Sequence, residues 1–175
     1  FVDVTGFTFM ALFIARLGPE NSAAHQIAAN FAAMLFMLPL ALGNASSVLV
    51  GQAIGAREFA RARATGIAGL GVAMLCAVFV GGAIALGKRT VADLYTIDPA
   101  VSAIAATLLG FVAIYHLVDS LQAVAVNVLR GYKRAVVPMV IYALALWGVG
   151  LGGGTTLGLH GIAGWMAPLG AKGFW

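Results

Sequence analysis

The sequence predicts an all-α, polytopic transmembrane helix bundle, and three observations carry that prediction. Of its 175 residues, 62% are apolar and only 9% are charged, against roughly 25% charged in an ordinary soluble domain. The mean hydropathy is +1.00. A soluble fold of this length leaves about a third of its unfolded surface wet and could not hide so much apolar area; the same numbers exclude intrinsic disorder. Third, the apolar runs far exceed the about ten alternating residues of a membrane β-strand, so the spans are helical.

A crossing needs about 20 apolar residues to cover ~30 Å of hydrocarbon. The first span runs over 1–17 and ends at Gly18-Pro19-Glu20-Asn21. Asn21 or Ser22 can cap the second, 23–54. It contains Pro39 and is too long for one straight crossing, which predicts a kink there or an extension past the bilayer. The link from Gly55 to Ala64 is the most polar, with Arg57, Glu58, Arg61 and Arg63. The third span, 65–86, offers Gly66, Gly69, Gly81 and Gly82 as small surfaces for close helix packing. Thr90 and Asp93 have capping-box spacing and predict a short surface helix. Asp98-Pro99, an acid cap followed by Pro at the first helical position, starts the fourth span, 100–129. The fifth covers 135–159, but its second half holds Gly148, Gly150, Gly152, Gly153, Gly154 and Gly158, which argues against a regular helix there. A further span opens at 168–175. The chain starts at Phe1 inside apolar sequence and stops as that stretch begins, so it reads as an internal part of a longer polytopic protein.

The net charge is +4. No basic run is interleaved with exposed aromatics, so nucleic acid is not an expected partner. The surplus instead sits in alternate links. Arg57, Arg61 and Arg63 follow the second span, and Arg130, Lys133 and Arg134 follow the fourth, whereas the other links hold Arg16, Lys88, Arg89 and Lys172. The positive-inside rule puts the two richer links in the cytoplasm. Cys76, alone in an apolar run, is a small hydrophobe with no disulfide or metal role.

Two acids fall within spans. Asp119 lies deep in the fourth, and Asp3 lies near the start of the first. A charge at membrane depth costs roughly 2.5–3.5 kcal/mol even on lenient insertion scales, and normally faces a cavity or a partner. At about 100° per residue, Tyr115, His116, Gln122 and Asn127 share one face with Asp119, while Val112, Leu117, Leu121, Val124 and Val128 are read as the opposite face, suited to lipid or core. Such a polar stripe predicts either a wet cavity or a polar helix–helix seam. The second span adds His25, Gln26 and Asn30 near its start; the first two can equally satisfy the exposed amides of a helix start. Asn44-Ala45-Ser46 matches a glycosylation sequon but lies within a span. There is no paired-histidine zinc motif, nucleophile elbow or phosphate loop, so an enzyme is not expected.

Ordered motifs then point to a family. Ala23-Ala24-His25-Gln26-Ile27-Ala28-Ala29-Asn30, Met37-Leu38-Pro39 and Val50-Gly51-Gln52-Ala53-Ile54-Gly55 resemble the multidrug and toxic compound extrusion (MATE) transporters. Leu129-Arg130-Gly131-Tyr132-Lys133 and the stretch from Pro168 to Trp175 resemble the bacterial NorM-type branch. The resemblance implies twelve spans in two six-helix lobes, with this chain covering spans seven to eleven and the start of twelve: residues 1–175 would be most of the C-terminal lobe, without the N-terminal lobe. It also implies a cation site at Asp3, Asp119 and Tyr115, taking Na⁺ on the two acids if coupling is to sodium, or a proton. At Asp3 the family pattern usually has Glu, so the reach of this acid is one methylene shorter. His116, Gln122 and Asn30 are candidates to line the cavity.

The function so implied is a cation-coupled antiporter of the bacterial inner membrane that exports organic, often cationic, compounds by alternating access. No cofactor is expected beyond Na⁺ or H⁺ as the coupling ion. Two alternatives remain at the level of sequence. A lipid-linked precursor flippase of related fold would use a more basic cavity for phosphates, whereas the intramembrane charges here are acidic. A non-transporting structural subunit leaves Asp119 without a purpose.

Overall fold

The computed structural model describes residues 2–134, 136–157 and 172, with side chains from residue 8 onward apart from Val137, Val149 and Leu151. The side chain of Asp3, and the span expected from residue 168 other than Lys172, therefore lie outside the described residues. Among the described residues every regular element is helical: α1 (Val2–Ala15), α2 (Pro19–Gly55), α3 (Phe59–Tyr95), α4 (Pro99–Gly131), α5 (Val136–Leu144), a π-helical segment (Ala145–Leu151) and α6 (Gly152–Thr155). Four stretches are long and apolar enough to cross a membrane: Pro19–Gly55, Phe59–Tyr95, Pro99–Gly131 and Pro138–Thr155. The chain is a multi-pass membrane protein.

The helix ends show why the breaks fall where they do. Gly18 adopts φ 103°, a left-handed turn that a side chain would strain. This lets Pro19 open α2 as its first residue, earlier than expected. Asn21 and Ser22 consequently lie in the first turn rather than at the cap, and their side chains donate back to the carbonyls of Leu17 (2.9 Å) and Gly18 (3.2 Å). At 37 residues, about 55 Å, α2 runs through Pro39 and exceeds the hydrocarbon core, so it extends beyond the bilayer. Asp98 caps α4 as the sequence indicates: its Oδ1 accepts from the amides of Ala100 (2.8 Å) and Val101 (3.2 Å).

α3 departs from expectation at both ends. It begins at Phe59, which takes Arg61 and Arg63 into its first turns, and it continues through Lys88, Arg89 and Thr90 to Tyr95. No separate surface helix forms, because Lys88 and Arg89 continue the 3.6-residue ladder and Gly87 does not interrupt it. Asp93 instead accepts a hydrogen bond from the Ser102 hydroxyl of α4. In the fifth span the α-helix stops at Leu144 and gives way to a π-helical segment before the glycine run, the irregularity that those glycines predict.

The chain forms two compact units. One comprises residues 1–30, 86–112 and 140–175, the other residues 31–85 and 113–139. In the first, α4 buries Val101, Ala105, Leu108, Leu109 and Val112, the i, i+4, i+7, i+8 spacing of a packed helix stripe. Phe9 of α1 meets Trp147 edge to face at 5.8 Å. In the second unit, Val50, Ala53, Ala62, Ala73, Val124 and Val128 form the core, with Leu42, Leu70 and Tyr132 packed against it. Close approach rests on glycine. A Cβ at Gly66 would lie 3.0 Å from Val128, and one at Gly81 would lie 3.0 Å from the Ala113 carbonyl. Gly69 sits directly against Ser46. Gly82, expected to play the same part, has nothing near it and is exposed. The outer surface of α3 presents Leu75 and Phe79, apolar groups suited to lipid tails.

Candidate functional site

The polar residues of α4 that belong to the second unit fall into two rows rather than one stripe. His116, Ser120 and Asn127 are buried. Taking about 100° per residue from Asp119, they lie at roughly +60° to +100°, in the middle of the buried arc that also holds Ala123 and Val124. The His116 Nε2 and Ser120 Oγ lie 3.4 Å apart. The Asn127 amide donates to the Ala123 carbonyl at 2.9 Å and accepts from Arg130 at 3.4 Å. Asn127 also fills the space above Gly43 of α2, where a Cβ would lie 2.8 Å from its Nδ2. This row is a helix–helix seam.

The second row is Tyr115 and Asp119. One turn apart, they bring the Tyr115 hydroxyl to 3.2 Å from the Asp119 Oδ1, to which it donates. Asp119 is half-buried, at the edge of the packed arc, while Tyr115 is 40% exposed and the neighbouring Ile114 and Val118 are 68% exposed. Gln122, the next residue on this side, is half-buried. The arrangement sets one carboxylate and one phenol, two hard oxygen groups, at a boundary between packed and open surface. Such a pair can hold a proton or contribute ligands to a hard cation. Among the described residues no group of three or more His, Cys, Asp or Glu side chains converges as a metal site.

Of the other residues singled out by sequence, Asp3 belongs to α1 and its side chain is outside the described residues. Asn30 is exposed on α2, and His25, one helical face away, is buried at 3%. Tyr115 and Asp119 are thus the members of the expected cation site that the structure brings together. Sequence reasoning missed Ser120, whose signal was its i+4 spacing from His116. It also set the apolar face of α4 against the polar one, whereas Val112, Val124 and Val128 are buried on the same side of the helix as the buried polar row.

The family model MatE matches residues 1–154. The chain belongs to the MatE family. Over all 175 residues it is 46% identical to a probable multidrug resistance protein NorM of Aromatoleum aromaticum, covering 38% of that protein. It is 39% identical to the multidrug resistance protein PmpM of Pseudomonas aeruginosa, covering 36% of it, and 39% identical to the multidrug resistance protein NorM of Vibrio vulnificus, covering 38%. The whole chain aligns in each case, and it spans little more than a third of the length of these MatE relatives. The resemblance read from the motifs is therefore a true membership.

Proposed function

We propose that this chain, as most of the C-terminal lobe of a MatE transporter completed by an N-terminal lobe, exports organic, often cationic, compounds across a bacterial inner membrane. It is a transporter and not an enzyme. Inward movement of Na⁺ or H⁺ drives it, and Asp119 with Tyr115 takes the coupling ion. The observation that carries this reading is the Tyr115–Asp119 hydrogen bond at the edge of the packed face of α4. An acid in a span is retained at a cost. The multidrug resistance names of the relatives support the choice of cargo. Gln122, half-buried on the same side of α4, lines the cavity beside this pair. Coupling requires only that ion and cargo favour different states of that cavity.

The test is efflux from vesicles holding the full-length protein, energised separately by a Na⁺ gradient and by a pH gradient. One of the two should drive export of a cationic dye. Export that neither gradient supports would refute coupling, and the gradient that succeeds names the ion.

A further inference from the structure

Both turns at one end of the second unit have the same unusual construction. α2 closes with Arg57 in the left-handed region (φ 62°), its amide donating to the Ile54 carbonyl at 3.0 Å and the Glu58 amide to the Ala53 carbonyl at 2.8 Å. α4 closes with Lys133 at φ 60°, its amide donating to the Arg130 carbonyl at 2.8 Å and the Arg134 amide to the Leu129 carbonyl at 2.9 Å. These are two Schellman caps, in which the left-handed position is usually glycine because a Cβ is strained there. Here each holds a long cation. Backbone strain kept at the same place in two turns points to a use for the side chain.

The two caps lie at the same end. Gly131 packs on α2, where a Cβ would lie 2.8 Å from the Ser47 carbonyl and 2.9 Å from Val50, and Tyr132 packs against the core that contains Val50, Ala53 and Ala62. The end therefore gathers Arg57, Arg61, Arg63, Arg130, Lys133 and Arg134 against one acid, Glu58, which pairs with Arg61 at 2.9 Å. Beside the caps, Phe59 and Val136 are exposed at 64% and 68%. Cations with large apolar neighbours at the end of membrane-spanning helices match a headgroup phosphate above an acyl chain.

We propose that this end of the unit binds the phosphate of anionic phospholipids, with Arg57 and Lys133 as its main contacts. The proposal rests on the membrane-spanning reading and not on what is transported, and its test uses neither cargo nor gradient. Purified full-length protein in neutral detergent is titrated with phosphatidylglycerol, phosphatidylcholine or inorganic phosphate, and bound lipid is counted by native mass spectrometry. Phosphatidylglycerol should be retained in preference to phosphatidylcholine, and millimolar phosphate should not displace it. The double variant Arg57→Gly, Lys133→Gly should bind phosphatidylglycerol roughly 25-fold more weakly, at about five-fold per basic residue. Because glycine suits both caps, its melting temperature in detergent without added lipid should be unchanged or higher. The charge-keeping variant Arg57→Lys, Lys133→Arg should retain the lipid. Equal retention of the two lipids, displacement by inorganic phosphate, or undiminished binding in the glycine variant would each overturn the proposal.

Discussion

The two polar rows of α4 differ in a way that their shared helix conceals. His116, Ser120 and Asn127 are almost fully buried and meet groups of their own helix or of α2. Tyr115 and Asp119 stand one residue round the helix from them, bonded to each other at the edge of the packed face. Polarity inside a span is thus not one signal. A side chain that is buried and hydrogen-bonded holds helices together, whereas a carboxylate at a boundary with open surface carries the cost of a charge at membrane depth. The difference predicts that the first row governs stability and the second governs transport.

The largest expected effect is at Asp119. Asp119→Asn keeps the shape and removes the charge, so it can neither exchange a proton nor hold Na⁺. Gradient-driven efflux should fall by about 100-fold or more, in the range seen when a proton-transfer group is lost, with equal amounts of protein in the membrane. Wild-type rates at equal expression would move Asp119 into the structural row. Gly43→Ala attacks that row instead. Its Cβ would press on Asn127, at 2.8 Å from Nδ2 and 3.1 Å from Cβ, and relief requires Asn127 to leave the Ala123 carbonyl. Overpacking of this kind costs about 1–3 kcal/mol. A lower melting temperature with normal efflux per folded molecule is the expected result, and lost efflux at unchanged stability would break the distinction.

Tyr115→Phe separates the members of the second row. It deletes the hydroxyl that donates to Asp119 and leaves the ring. A hydrogen bond to a charged group is worth about 1.5–3 kcal/mol at most, and less where water can replace the hydroxyl at a 40% exposed site. The concentration of coupling ion giving half-maximal efflux should rise several-fold, with the maximal rate nearly kept. An unchanged ion dependence would show that Asp119 acts without its neighbour.

Much of the fold was legible because bilayer physics writes itself plainly. Long apolar runs, the Asp98-Pro99 start and the glycines at 66, 69 and 81 each act locally or through a simple steric rule, and each is found as expected. The ends of α3 were not legible, because charged residues such as Arg61 and Lys88 terminate a hydrophobic run without terminating a helix; helicity continues into the polar layer. The Schellman caps at Arg57 and Lys133 were hidden for the opposite reason, since the residues there are not the glycine that normally marks such a turn. At the candidate site, periodicity placed Tyr115 beside Asp119. It could not divide the polar face, because which arc is packed depends on the neighbours supplied by α2 and α3 and not on α4 alone.

The smallest expected effect tests the division most finely. Ser120 is 2% exposed and lies 3.4 Å from His116, at the long end of hydrogen-bond geometry. Ser120→Ala removes that contact and one buried hydroxyl together, and the histidine keeps its position in the packed arc. A weak neutral hydrogen bond contributes about 0.5 kcal/mol net, and removing the hydroxyl also removes its own desolvation cost. The loss also leaves the buried His116 Nε2 without its partner, which costs toward the low end of about 1–3 kcal/mol for so long a contact, so the variant should melt a few degrees below the parent. It should also transport at the parent rate with the same ion dependence, although Ser120 is the immediate neighbour of Asp119 in sequence. If the ion dependence instead shifts as far as it does in Tyr115→Phe, proton or cation traffic reaches His116 through Ser120, and the two rows work as one site.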